Sequence, residues 1–148
     1  MSTDPSAVFR RYLSAMVLNS LAASEAAGLN ATDYYALNLL DLTGPLTSGE
    51  LAAQIGLTTG ATTRLIDRLE RTGYVRRAPD PADRRKVMVE TAAAPEELDK
   101  VLLGTRTRLA AVIQQYSEAE QATLWSYFEQ AAAAYREATD ELVKARNA

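Results

Sequence analysis

Residues 47–73 read TSGELAAQIGLTTGATTRLIDRLERTG, and no other stretch restricts the fold as much. Thr47 with Glu50 three positions on is a capping box, in which each side chain satisfies a backbone N–H that a helix start leaves without a partner. Leu51, Ala52 and Ile55 follow as an apolar face, and Gly56 stands where a C′ residue ends a helix. Only Leu57 separates that glycine from Thr58, the next N-cap candidate. Two short helices joined so tightly form a helix-turn-helix. In the second helix Leu65, Ile66 and Leu69 share one side, with Thr62 at its edge. Thr59, Gly60, Thr63, Arg64, Asp67, Arg68 and Arg71 occupy the other.

Gly73 ends this helix, and YVRRA and KVMVE then flank PDPAD. Two short β-leaning runs around a proline-bearing turn predict a hairpin with a polar, basic tip. The fold class is therefore mainly α with a small β-hairpin wing: a winged helix-turn-helix with helices on both sides. Upstream, Asp4 and Pro5 open a helix with Val8, Phe9, Tyr12, Leu13, Met16 and Leu21 at helical spacing, closed by Gly28. Asn30 starts a second, carrying Tyr34, Tyr35, Leu37, Leu39, Leu40 and Leu42 up to Gly44-Pro45. Downstream, one helix runs from about Pro95 to Tyr116, and Ser117 with Glu120 caps another. There Leu124, Phe128, Ala131, Tyr135, Ala138 and Leu142 form a narrow seam, suited to packing lengthwise on another helix. Such a seam reads as core or dimer packing, and for Trp125 and the seven Tyr burial is the default.

With 148 residues, 47% of them hydrophobic, the chain is long enough for one domain spanning 1–148. Within it a winged-helix lobe covers 30–91, with flanking helices at 4–28 and 95–146. The chain contains neither Cys nor His, which removes disulfides, thiolate chemistry and the commonest general base. A metal site would have to be all-carboxylate. No carboxylate pair sits at a catalytic spacing, no glycine-rich phosphate loop follows a strand, and no nucleophile motif is present. The expectation is a protein that is not an enzyme, with no catalytic residue, metal or cofactor. No run approaches eighteen apolar residues and no leader opens the chain, so a soluble, cytoplasmic protein with no membrane partner is expected.

Residues 64–86 concentrate positive charge: eight Lys and Arg against four Asp and Glu give +4, in a chain whose total is −3. A charge run by itself is more often a solvated surface laced with weak pairs, such as Arg64 with Asp67. Here it coincides with the two elements able to enter DNA grooves. Thr58, Thr59, Thr63 and Arg64 lie at the N-terminal part of the second helix, the part that meets base edges. Arginine suits bidentate contact with guanine, and threonine can bond a base or touch a thymine methyl. Arg68 and Arg71, further along, are expected at phosphate, and Arg84 and Arg85, at the wing, in a narrowed minor groove.

The stretch GPLTSGELAAQIGLTTGATTRLIDRLERTGYVRRAPDPADRR resembles the MarR family of winged-helix transcriptional regulators, including the Asp-x-Arg of the wing (Asp83 and Arg85). The resemblance runs from about Leu29 to Glu90. It implies a homodimer in which the helices at 4–28 and 95–146 form the dimerisation region, and two lobes that bind a pseudo-palindromic operator in double-stranded DNA. By the same resemblance Thr63 and Arg64 touch DNA from the recognition helix, and Arg85 reaches the minor groove with Asp83 bracing it. Many members are repressors released by a small phenolic or amphipathic effector, bound between the dimer region and the lobe. The sequence marks no effector-pocket residue. The oxidant-sensing branch needs Cys and the zinc-sensing branch is unsuited to a chain without His. Thr62 stands where the family usually has an apolar residue. The alternative reading is a winged-helix protein–protein adaptor that does not bind DNA.

Overall fold

The computed structural model describes residues 4–92 and 96–147. Helix α1 (Pro5–Ala26) starts at Asp4, whose carboxylate accepts the Ser6 N–H at 3.1 Å. Helix α2 (Ala31–Thr43) starts at Asn30, whose side chain accepts the Asp33 N–H at 2.8 Å. Helix α3 (Ser48–Ile55) has the expected box: the Thr47 N–H donates to Glu50 at 2.7 Å, and the Glu50 N–H donates to the Thr47 hydroxyl at 3.2 Å. Gly56, at φ 75°, then turns the chain. This left-handed conformation disfavours any Cβ, which is why glycine ends the helix just before the next begins. Helix α4 (Thr59–Arg71) is capped by Thr58, whose hydroxyl accepts the Ala61 N–H at 3.3 Å.

Strands β2 (Val75–Pro79) and β3 (Val87–Thr91) form the expected hairpin, with Val75 opposite Thr91 and Pro79 opposite Val87. The sheet has a third strand that the sequence does not announce. Leu46–Thr47, β1, pairs with the other edge of β3, Leu46 opposite Val89 and Thr47 opposite Met88, so the order is β1-β3-β2. Two residues are too few to show a period of two, and Thr47 also serves as the cap of α3.

The core gathers Ala36, Leu37 and Leu40 of α2, Leu51 of α3, and Leu65, Ile66 and Leu69 of α4 over Val75 and Val89 of the sheet. Burying each of these larger side chains contributes about 1.5–3 kcal/mol, so α4 is held chiefly by its inner face. Thr62 is fully buried there, and its hydroxyl donates to the Thr58 carbonyl at 3.0 Å, so the polar group is not stranded in the core. Tyr74 is also buried, and its hydroxyl donates to the Ala27 carbonyl at 3.0 Å, tying the root of the hairpin to the end of α1.

Helix α5 (Glu96–Ile113) bridges two compact units, the first closing at Leu102 and the second opening at Leu103. Val101 and Leu102 pack on the core of the first unit, which also includes α1. The expected helix start at Pro95 falls outside the described residues. The expected end at Tyr116 moves back to Ile113, and a turn in which the Tyr116 N–H donates to Ile113 at 3.1 Å completes the segment. Helix α6 (Glu118–Asn147) follows, its start boxed by Ser117 and Glu120.

The default of aromatic burial holds for Tyr34 and Tyr74 alone among the seven tyrosines, and Trp125 is 55% exposed. The cause is visible along the helices that carry the others. Val8, Phe9, Tyr12, Met16 and Leu21 of α1 and Phe128, Tyr135 and Leu142 of α6 are all exposed in the single chain. Among the described residues no helix is long and apolar enough to cross a membrane.

Candidate nucleic-acid interface

The candidate interface centres on α4, whose two faces differ sharply. Leu65, Ile66 and Leu69 fix the inner face, which leaves Thr59, Thr63, Arg64 and Arg71 on the outside. The Thr63 hydroxyl donates to the Thr59 carbonyl at 3.0 Å, which orients the oxygen while leaving its lone pairs available. Thr58 holds the helix start through its hydroxyl and its carbonyl, and its side chain lies at the exposed rim. Gly60 lies on the same rim, and nothing stands within 4 Å of where its Cβ would be.

The hairpin supplies the second element. At its tip the Asp80 carboxylate accepts the Ala82 N–H at 2.8 Å, and the Asp80 N–H donates to the Lys86 carbonyl at 3.0 Å, which closes the loop. Asp83 and Arg85 are brought together. One carboxylate oxygen accepts the Arg85 backbone N–H at 3.1 Å and its Nε–H at 3.2 Å, while the arginine side chain remains 92% exposed. Arg84 is exposed beside it.

The arginines of the basic segment divide into two groups. Arg68, expected at phosphate with Arg71, is turned instead to Asp33 of α2. Its Nε and Nη2 donate to the two carboxylate oxygens at 3.0 and 2.7 Å. Asp33 is only 4% exposed against 45% for Arg68, so the pair sits at the edge of the core. This hydrogen bond raises the Arg68 pKa above its ordinary value, against an opposing contribution from burial. Arg68 thus anchors α4 to α2. Arg76 pairs across the hairpin with Glu90, its register partner, at 2.6 Å. Arg77 reaches back to α4, donating to Asp67 at 2.7 Å and also to Glu70. Asp67 is therefore engaged by the hairpin and not by Arg64. Among the described residues no ion pair to Arg64, Arg71 or Arg84 is formed.

Asp33, Arg77 and Glu70 were not assigned by sequence reasoning. A hint of Asp33 exists: it stands three, four and seven residues before Ala36, Leu37 and Leu40, on the apolar side of its helix, where a charge needs a partner. Among the described residues no group of three or more His, Cys, Asp or Glu is arranged to hold a metal ion.

A MarR-family model matches residues 27–86. The HTH-type transcriptional regulator YcgE of Bacillus subtilis is 36% identical over 136 residues, covering 91% of this chain and 88% of that protein. The chain belongs to the MarR family. It is accordingly a DNA-binding, winged-helix transcriptional regulator. The fold agrees with solved members. A MarR-like regulator of Thermotoga maritima superposes with a TM-score of 0.62 at 25% identity, covering 91% of this chain and 99% of that one. A point mutant of Staphylococcus aureus MepR, bound to an oligodeoxyribonucleotide, gives 0.59 at 18% identity, covering 90% and 99%. In MarR-family terms α4 is the recognition helix and the β2–β3 hairpin the wing.

Proposed function

We propose that this MarR-family chain works as a homodimeric, sequence-specific repressor that binds a pseudo-palindromic operator and is released by a small ligand. The observation that carries the reading is the pairing, in one compact unit, of an outward threonine- and arginine-bearing recognition helix with a wing whose Arg85 is held out by Asp83. Thr59, Thr63 and Arg64 read base edges, with Thr58 at their rim, while Arg71 meets phosphate. Arg84 and Arg85 enter the minor groove. Arg68 acts from behind, holding α4 at its angle through Asp33. The target is chromosomal DNA, so the protein acts in the cytoplasm.

Support for dimerisation comes from the apolar faces of α1 and α6, which one chain leaves exposed and which are broader than a lone soluble helix sustains. Support for a ligand comes from a groove of about 210 Å³ between α1 and α2, lined by Met16, Val17, Ser20, Leu21, Ala31, Tyr34, Tyr35 and Asn38. It combines aliphatic and aromatic walls with two polar side chains, which suits a phenolic or amphipathic molecule. Such a ligand needs only a ~1–3 kcal/mol preference for the spacing of recognition helices that does not bind DNA.

Salt dependence is the test. Affinity for a mixed-sequence duplex should fall steeply between about 50 and 200 mM salt, because the gain from releasing condensed cations shrinks as salt rises. A flat, weak response would instead make the exposed helix and wing a docking surface for a protein partner.

A further inference from the structure

We infer that Arg77 is a charge mask for the recognition helix, engaging and partly offsetting the carboxylates of Asp67 and Glu70 so that α4 can approach phosphate. The inference rests on the DNA-binding reading above. With Arg68 bound to buried Asp33, the outward charges of α4 are Arg64 and Arg71 against Asp67 and Glu70, which cancel. Asp67 lies three residues after Arg64 and four before Arg71, so it shares their strip of surface. Its side chain is 49% exposed and that of Glu70 41%, so neither is removed from a passing phosphate by burial. A bare carboxylate on that strip would oppose the polyanion at the place where the helix must come closest.

Arg77 reaches both carboxylates with one side chain, and its single positive charge brings the outward balance from zero to +1. Its Nη2 donates to Asp67 at 2.7 Å, its Nη1 to Glu70, and its backbone N–H to the other Glu70 oxygen at 3.3 Å. The hydrogen bond to Asp67, with the nearby Glu70 charge, raises the arginine's pKa above its ordinary value, so it carries its charge at every working pH. The geometry also separates Arg77 from a phosphate contact of the ordinary kind. Alternation along β2 sends Arg76 to Glu90 and Arg77 towards α4, and Arg77 is the less exposed of the two, 33% against 69%. Arg77 is thus a positioning residue: it sets the electrostatics of the helix and clasps it to the wing root without reading DNA itself.

Three variants of the 148-residue chain test this, each with affinity for a mixed-sequence duplex measured across a salt series. Arg77→Gln should weaken binding about tenfold at moderate salt. Adding Asp67→Asn and Glu70→Gln to it should restore affinity to within about threefold of the parent. Asp67→Asn with Glu70→Gln beside an intact Arg77 should bind as tightly as the parent or more so. If Arg77 were only a structural staple, that last variant would be as impaired as Arg77→Gln, because the clasp is broken from either side, and masking would be refuted. Full affinity in Arg77→Gln would refute it too. So would a triple variant that stays weak with a salt slope lower by about one, since Arg77 would then touch phosphate directly. Should Arg77→Gln fail to fold, the double variant alone decides. A parent protein that does not bind DNA at all overturns the DNA-binding reading instead.

Discussion

The winged-helix lobe and helices α1 and α6 use the same alphabet to opposite ends. In the lobe, from α2 to β3, the large apolar residues of three helices close over a three-stranded sheet. The polar groups drawn inside, Asp33 and Thr62, each have a partner there. Along α1 and α6 the residues that should form an inner face, Phe9, Tyr12, Met16, Phe128 and Tyr135, stand open to solvent. The difference teaches which apolar residues the chain buries and which it leaves exposed. The lobe is a finished core with a charged outer surface. The two long helices carry large apolar residues that are exposed, and helical stability in water comes mainly from packing such faces.

The contrast can be tested first where the lobe is most closed. Leu69→Ala removes a fully buried side chain from beneath the recognition helix and should lower stability by about 2–5 kcal/mol in urea unfolding. A cost below about 1 kcal/mol would mean that the lobe is looser than its burial implies. The open helices should behave differently. Phe128→Glu places a charge on the exposed seam of α6, and should weaken self-association a hundredfold or more, about 3 kcal/mol, by sedimentation while leaving the isolated chain's helix content intact. Unchanged association would take that seam out of the interface.

On the outer surface, the effects should be smaller and should differ in kind. Arg64→Ala should lose about 1–3 kcal/mol of discrimination at one base position, whereas Arg71→Ala should weaken all duplexes alike. Equal losses on operator and random DNA for Arg64→Ala would remove its base-reading role. The smallest effect concerns the cap of α3. The Thr47 backbone N–H, and then its hydroxyl, lower the Glu50 pKa below the ordinary carboxylate value. A lowered folded-state pKa means that the stabilisation is complete above the unfolded-state value and is lost as pH falls through the folded one. Glu50→Gln should therefore melt slightly below the parent at neutral pH, with the gap closing in acid. A gap that widens in acid would show that the ionised carboxylate is not what holds the cap.

The parts of this architecture that could be read directly from the residues are those written within one helical turn. Asp4, Asn30, Thr47 with Glu50, Thr58 and Ser117 with Glu120 all act on N–H groups two or three residues away, so their spacing reveals them. The inner face of α4 was equally plain from its period, and the hairpin from two β-leaning runs around a proline-bearing turn. Strand β1 was hidden, because its two residues become a strand only opposite Met88 and Val89. The Asp33–Arg68 pair was hidden for the same reason at longer range: 35 residues separate the partners, and nothing local distinguishes Arg68 from Arg71. Asp67 illustrates the limit most clearly. Helical spacing offers it to Arg64, yet the hairpin folds Arg77 onto it, and only the tertiary path of the chain decides between them. Tyrosine burial failed as an expectation for Tyr12, Tyr35, Tyr116, Tyr127 and Tyr135, because an aromatic at helical spacing says which face it shares and not what covers that face.

Selection from a random DNA pool with the purified protein tests the central claim most directly, namely that two copies present α4 and its wing together to one duplex. The account predicts enrichment of an inverted repeat with half-sites about 10 bp apart, centre to centre, bound by two protomers. Recovery of no shared sequence, or of a single half-site bound by one protomer, would contradict it.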